Sequence, residues 1–164
     1  VEHARAGLCR AFPGSACWAL GEVLPVPQGA YNATRHQYHS SRILAEIGGL
    51  VEGSGEDRVL GVTAVDLYVP GLNFVFGEAQ CPGAVAVISL FRLRPEFYGQ
   101  PPDRPLLLER SAKEAVHEVG HTLGLGHCGN PRCVMLFSNN IQMTDMKGRE
   151  FCEKCRSKLK SRTL

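Results

Sequence analysis

Three histidines within eleven residues constrain the fold of this chain more than any other feature. They belong to the run HEVGHTLGLGH, which spans residues 117–127. On an α-helix, His117 and His121 lie four residues apart and therefore project from the same face. Gly124 can adopt the positive φ that ends a helix, and the turn it allows brings His127 back toward the other two. The run therefore predicts a long helix that ends at 123, followed by a sharp return of the chain.

The same residues form a set of zinc ligands with a carboxylate beside it. Two neutral imidazoles four residues apart on a helix can both reach one Zn²⁺ at about 2.0–2.1 Å, and His127 supplies a third ligand. Three protein ligands leave a position for water, and Glu118 can accept the proton of that water. The short motif HExxH also occurs by chance on amphipathic helices, but Gly124 and His127 at this spacing favour the metal site.

Four of the seven cysteines indicate a second metal site. They fall within 28 residues, at Cys128, Cys133, Cys152 and Cys155. Four thiolates close a tetrahedral site without room for water, so this predicted zinc is structural. A disulfide, or two unrelated thiol pairs, are the alternatives. The other three cysteines are scattered at Cys9, Cys17 and Cys81. Thiols used for metal indicate a reducing compartment, so we expect a cytoplasmic protein.

Length and hydrophobic pattern predict one α+β domain. The chain has 164 residues, of which 44% are hydrophobic, enough for one core but not for two ordinary domains. The pattern predicts helices at 2–12, 35–51 and 106–123 and from 144 or 145 onward, strands at 17–26, 58–69, 72–76 and 84–93, and a proline-rich loop at 95–105. The apolar face of the second helix comprises Ile43, Leu44, Ile47 and Leu50. We expect one mixed sheet with two long helices packed on it.

Charge argues against nucleic acid as a partner. The net charge is +2, and no apolar run is long enough to cross a membrane. From Asp145 onward the chain has seven basic and three acidic residues. The basic ones are Lys147, Arg149, Lys154, Arg156, Lys158, Lys160 and Arg162, and the acidic ones are Asp145, Glu150 and Glu153. Such a tail usually forms a solvated helix. We expect a monomer, with His3, His36 and His39 as ordinary surface or polar-core residues.

The sequence resembles the archaemetzincins, a family in the metzincin clan of zinc peptidases. The resemblance lies in HEVGHTLGLGHC at 117–128, in CVM at 133–135 and in the pair Cys152 and Cys155. The segments GLNFVFG at 71–77 and LRPEFYG at 93–99 are also similar to members of the family.

This resemblance implies roles for particular residues. The catalytic zinc ligands are His117, His121 and His127, and the general base is Glu118. The structural zinc ligands are Cys128, Cys133, Cys152 and Cys155, which makes two Zn²⁺ per chain. Met135 corresponds to the Met-turn methionine beneath the metal, although chemistry alone leaves Met143 and Met146 equally eligible.

The resemblance also implies a metzincin-like architecture, a twisted mixed sheet with one antiparallel edge strand. The substrate would lie extended along that edge, for which Leu72–Glu78 is the candidate. The whole chain, 1–164, is then a single domain. Residues 1–123 form the sheet and the active-site helix, and 124–164 hold the third ligand, the Met-turn and the structural zinc site.

The leading functional hypothesis is a zinc-dependent metallopeptidase that acts on a peptide or protein substrate. Tyr98 and Tyr68 are candidates for stabilising the oxyanion beside zinc. Two alternatives remain open: a zinc-stabilised binding module that uses its basic C-terminal tail, and a metzincin fold with little turnover. The sequence does not distinguish an exopeptidase from an endopeptidase.

Overall fold

A computed structural model of the chain describes residues 1–21, 23–51 and 55–161, apart from the side chain of Leu50. In this part the helices are α1 (Glu2–Ala11), α2 (Ser40–Val51), α3 (Arg104–Thr122), α4 (Ile141–Met146) and α5 (Glu153–Lys160). The strands are β1 (Tyr31–Asn32), β2 (Gln37–His39), β3 (Val59–Thr63), β4 (Leu67–Tyr68), β5 (Gly77–Ala79) and β6 (Val85–Ser89). Short 3-10 turns lie at Gln28–Ala30 and Pro95–Tyr98.

The main sheet has the strand order β3-β6-β5. β6, with the sequence VAVIS, is buried along its whole length, as expected for an apolar central strand covered on both faces. β3 runs parallel to it and β5 antiparallel. The sheet is therefore mixed, and its one antiparallel strand lies at an edge.

The two long helices cover opposite faces of this sheet, because alternate side chains of a strand point to opposite sides. Val85 and Val87 pack with Ile47 and its neighbours on α2. Ile88 points the other way and packs with Ala115 on α3 and with Ala4 on α1. The prediction of an α+β fold with two long helices on a mixed sheet is confirmed.

α3 combines a well-defined start with an unusually polar buried surface. Its N-cap is Asp103, whose side chain accepts a hydrogen bond from the backbone N–H of Leu106 at 2.9 Å. The buried polar residues on its inner turns are Arg110, Ser111, Lys113, Glu114, His117 and Glu118. Because burying a charge is costly unless it is paired, each of these groups needs a partner from the rest of the chain.

All four predicted strands differ from the structure, and the one predicted at 84–93 forms β6 only over Val85–Ser89. Residues 17–21 and 23–26 form no strand, and most of their apolar side chains are exposed, with Trp18 58% and Val23 97% accessible, although Val26 packs against the core. An apolar run forms a strand only when it pairs with a neighbour, and the described residues of this run do not. The predicted strand 58–69 is divided at 64–66, so that β3 and β4 lie in different sheets. The predicted strand 72–76 makes only a single bridge, between Val75 and Leu67.

The edge strand and two helices also have different limits from those predicted. The candidate edge Leu72–Glu78 is wrong over most of its length, because β5 begins only at Gly77. α2 begins at Ser40, since residues 37–39 pair in the smaller sheet, of order β1-β2-β4. The final predicted helix is two helices, and Cys152 is the N-cap of α5. Among the described helices, none has the length and apolarity needed to cross a membrane.

Candidate metal centre

The end of α3 brings the three histidines together. The helix ends at Thr122, and Gly124 follows with a φ of 79°. Its N–H donates to the carbonyl of His121 at 2.7 Å, and this tight turn redirects the chain. One ring nitrogen from each of His117, His121 and His127 lies within 4.8 Å of the others.

Hydrogen bonds determine which ring nitrogens face the centre. Nδ1 of His117 donates to the carbonyl of Val134 at 2.8 Å, and Nδ1 of His121 donates to the carbonyl of Leu125 at 2.7 Å. Because a carbonyl only accepts, both Nδ1 atoms carry the proton, and both Nε2 atoms present lone pairs. These two Nε2 atoms are 3.1 Å apart. A tetrahedral zinc with bonds of about 2.0–2.1 Å has ligand nitrogens about 3.3 Å apart, so the residues fit the ion.

Burial keeps the histidines in the form that binds metal. Desolvation lowers the pKa of His117 well below its usual value, and the positive charge of Lys147 lowers it further. Desolvation also lowers the pKa of His121 and of the half-exposed His127. Neutral imidazoles are therefore favoured at neutral pH, and a cation does not compete with protons there.

Glu118 is buried beside the centre and contacts the edge strand. Burial raises the pKa of its carboxyl group well above the usual value, and the neighbouring Glu114 raises it further. A β-carbon placed on Gly77 would lie only 2.6 Å from Oε1 of Glu118. The carboxyl group therefore lies directly against the backbone of β5.

Met135 packs beneath the histidine helix. Its side chain is fully buried, and its carbonyl accepts the N–H of Cys128 at 2.8 Å. A β-carbon on Gly120 would lie 2.6 Å from Sδ of Met135, so only glycine allows this close packing. Met143 is half-buried and Met146 is exposed, both on α4.

The four clustered cysteines converge in a second group, with all Sγ atoms within 4.8 Å of one another. Sγ of Cys128 is 3.7 Å from that of Cys152, and Sγ of Cys133 is 3.7 Å from that of Cys155. These distances are much longer than a disulfide bond, which is about 2.0 Å. They match the edges of a zinc–thiolate tetrahedron with bonds of about 2.3 Å, which are about 3.8 Å long.

One thiol of this group is acidified by its surroundings. The pKa of Cys152 falls to about 7, mainly through a hydrogen bond from the backbone of Cys155. Burial acts in the opposite direction on Cys133 and Cys155 and raises their pKa values. A cation is the partner that allows all four sulfurs to be thiolates at once.

Comparison with known proteins identifies the family. The model of peptidase family M54 matches residues 21–161. The chain belongs to peptidase family M54. The archaemetzincin of Methanocaldococcus jannaschii is 53% identical over 150 residues, which cover 90% of this chain and 81% of that protein. The archaemetzincin of Pyrococcus horikoshii is 50% identical over 79% of this chain and 69% of its own length.

Solved structures of similar proteins have the same fold. The crystal structure of Methanopyrus kandleri archaemetzincin superposes with a TM-score of 0.81 at 41% identity, covering 99% of this chain and 84% of that chain. A zinc-dependent peptidase from Methanocorpusculum labreanum superposes with a TM-score of 0.87 at 31% identity, covering 95% and 91%. The predictions of the archaemetzincin family and of a zinc metallopeptidase are confirmed.

The M54 chain has a buried ion pair below the histidines that sequence reasoning missed. Lys147 is fully buried, and its Nζ lies 2.9 Å from Oε1 of Glu114. Thr144 donates to the same oxygen at 3.1 Å. Placing Lys147 in a solvated basic tail was wrong, because it pairs with a helix 33 residues away in sequence. Arg162, the last basic residue of that tail, lies outside the described residues.

Other candidate polar residues have different environments. His36 is exposed, and its Nδ1 lies 3.2 Å from the hydroxyl of Tyr31. His39 packs edge-on against Tyr68, with ring centroids 5.3 Å apart. The hydroxyl of Tyr68 accepts a hydrogen bond from Asn32, and that of Tyr98 donates to the carbonyl of Arg92. Both tyrosine hydroxyls therefore have hydrogen-bond partners other than the three histidines.

Proposed function

We propose that this chain hydrolyses peptide bonds with a zinc-activated water and with Glu118 as the general base. The observation that carries the proposal is the convergence of three histidine nitrogens at the end of α3, with a buried carboxyl group beside the first of them. Zinc, when bound by His117, His121 and His127, supplies a water of lowered pKa and polarises the substrate carbonyl. Glu118 accepts the proton of that water and can return it to the leaving amine.

The two ligand groups support two Zn²⁺ per chain with different roles. The three histidines leave a position open for water, whereas the four cysteines complete a closed, structural site. Cys128 directly follows His127, so the cysteine site also orients the third histidine. Residues 1–164 would then act as one domain, with the cysteine site tying the loop that follows α3 to α5. Thiols kept as metal ligands support a reducing, cytoplasmic location.

The substrate would bind as an extended strand along β5. The carbonyl of Phe76 accepts the N–H of Ser89, and the N–H of Gln80 donates to the carbonyl of Val85. In an antiparallel ladder such groups alternate, so the backbone groups of Gly77 and Ala79 point away from β6. They are free to pair with a peptide, whose backbone is recognised in this way without regard to its side chains.

A peptide-library assay tests this function with a matched pair of variants. In Glu118→Gln we expect kcat to fall about 10²–10⁴-fold with zinc content unchanged, because the amide cannot accept the proton. Glu109→Gln makes the same change on the same helix at a partly exposed position paired with Arg149. It should leave kcat unchanged. Full activity of zinc-loaded Glu118→Gln would show that another group is the base.

A further inference from the structure

The edge strand approaches the active-site helix unusually closely at one residue. A β-carbon on Gly77 would lie 2.6 Å from both Cγ and Oε1 of Glu118, and 2.7 Å from the carbonyl oxygen of Val87. Carbon atoms in contact normally lie about 3.5–4.0 Å apart. Even the smallest side chain at this position would therefore overlap the carboxyl-bearing chain of Glu118.

The reason for glycine here is steric and not conformational. Gly124 has a positive φ, but Gly77 does not. Its backbone follows an ordinary strand in register with Ile88 of β6. An alanine could adopt this backbone, so the constraint at Gly77 comes from the atoms around it.

Those atoms have little room to move. Gly77 is held by the ladder to β6, including the flanking bond from Ser89 to Phe76. The Val87 oxygen belongs to the backbone of the central strand. Glu118 is buried on α3, which packs on the same sheet through Ala115. A methyl group on Gly77 would therefore displace the side chain of Glu118, the most mobile of these neighbours, and its overlap with the Val87 oxygen would also shift β5 slightly.

We infer that Gly77 is a positioning residue for the reaction. Because it has no side chain, its backbone forms the surface against which the Glu118 carboxylate packs. This inference rests on the proposed function, in which that carboxylate takes the proton of the attacking water. In the proposed function the substrate also pairs with β5. Gly77 would therefore fix the position of the Glu118 carboxylate relative to the substrate backbone.

Gly77→Ala tests the inference in a comparison with Gly61→Ala. A β-carbon on Gly61, in β3 of the same sheet, would also meet an atom at 2.6 Å, but that atom is the end of the flexible Ile47 side chain. Displacing a catalytic group by about 1 Å can cost about 100-fold in rate. We expect Gly77→Ala to lower kcat by about 100-fold, with a much smaller change in KM and with zinc content unchanged. Gly61→Ala should keep kcat within about twofold.

Thermal unfolding of the zinc-loaded proteins supplies a readout that does not depend on activity. Overpacking should lower the Tm of Gly77→Ala by about 2–12 °C. In a Glu118→Ala background, which lacks Cγ and the carboxyl group, the same substitution should lower Tm by less. That difference is the coupling between the two residues, and Gly61→Ala should show none with Glu118→Ala.

The outcomes separate this inference from the proposed function. If wild type is active and Glu118→Gln is not, but Gly77→Ala keeps wild-type kcat or shows additive Tm losses, only the role of Gly77 is overturned. If zinc-loaded wild type cleaves no peptide in the library, the proposed function fails, and the positioning role fails with it.

Discussion

Replacing Lys147 with methionine should destabilise the protein strongly. Lys147 is fully buried, and its ammonium group pairs at 2.9 Å with the carboxylate of Glu114, which is 97% buried. Methionine keeps a similar length and volume but leaves the Glu114 charge without its cation. Breaking a buried ion pair in this way costs about 3–5 kcal/mol. For a chain of this size that corresponds to a Tm lower by about 6–20 °C.

The double variant Lys147→Met, Glu114→Gln should recover much of this loss. The glutamine removes the unpaired charge, and its side-chain oxygen can still accept the hydrogen bond from Thr144. A buried pair replaced by neutral groups of similar volume is often close to neutral in stability. We therefore expect the double variant to be more stable than Lys147→Met alone.

Urea unfolding of zinc-loaded proteins measures these differences in the free energy of unfolding. Lys154→Met, the same change at an exposed position on α5, is the control and should stay within about 0.5 kcal/mol of wild type. A loss below about 1 kcal/mol in Lys147→Met would refute the reasoning. The reasoning would also be refuted if the stability loss of the double variant equalled the sum of the losses of Lys147→Met and Glu114→Gln measured separately.

Three further predictions concern the metal centres. Gly120→Ala should lower the free energy of unfolding by about 1–3 kcal/mol, because the new methyl group would overlap Sδ of Met135. A loss near zero in urea unfolding would contradict that packing. Cys155→Ser should remove one zinc per chain in elemental analysis and lower Tm, whereas retention of both ions would argue against the four-cysteine site. After mild removal of the histidine-bound zinc, stability should fall as the pH drops below about 6.5, because only the unfolded state readily protonates His117, whose native pKa is lowered. If urea unfolding instead shows stability increasing as the pH drops below about 6.5, the native state takes up the proton.

Local chemistry explains which features could be predicted from the sequence. The spacing of His117 and His121 and the break at Gly124 depend on helix geometry and on glycine's freedom alone. The structure accordingly has the helix end within one residue of the predicted position. Short-range cysteine spacing likewise predicted that four thiols would meet, and they do.

Features that depend on partners distant in sequence could not be predicted from the sequence. The apolar run at 17–26 has the composition of a strand, but no periodicity reveals whether a sheet edge is available to it. Lys147 looks like any surface lysine until Glu114 is found opposite it. Gly77 and Gly120 look like ordinary glycines, and only the packing of Glu118 and Met135 against them shows why a side chain is excluded.

Zinc content per chain, measured by elemental analysis on wild type and His121→Ala, tests the central claim most directly. We predict two zinc ions in wild type and one in a folded His121→Ala protein that no longer cleaves peptides. A wild-type protein that cleaves peptides with one zinc, and keeps both that zinc and its activity in His121→Ala, would contradict the assignment of the catalytic site to the three histidines.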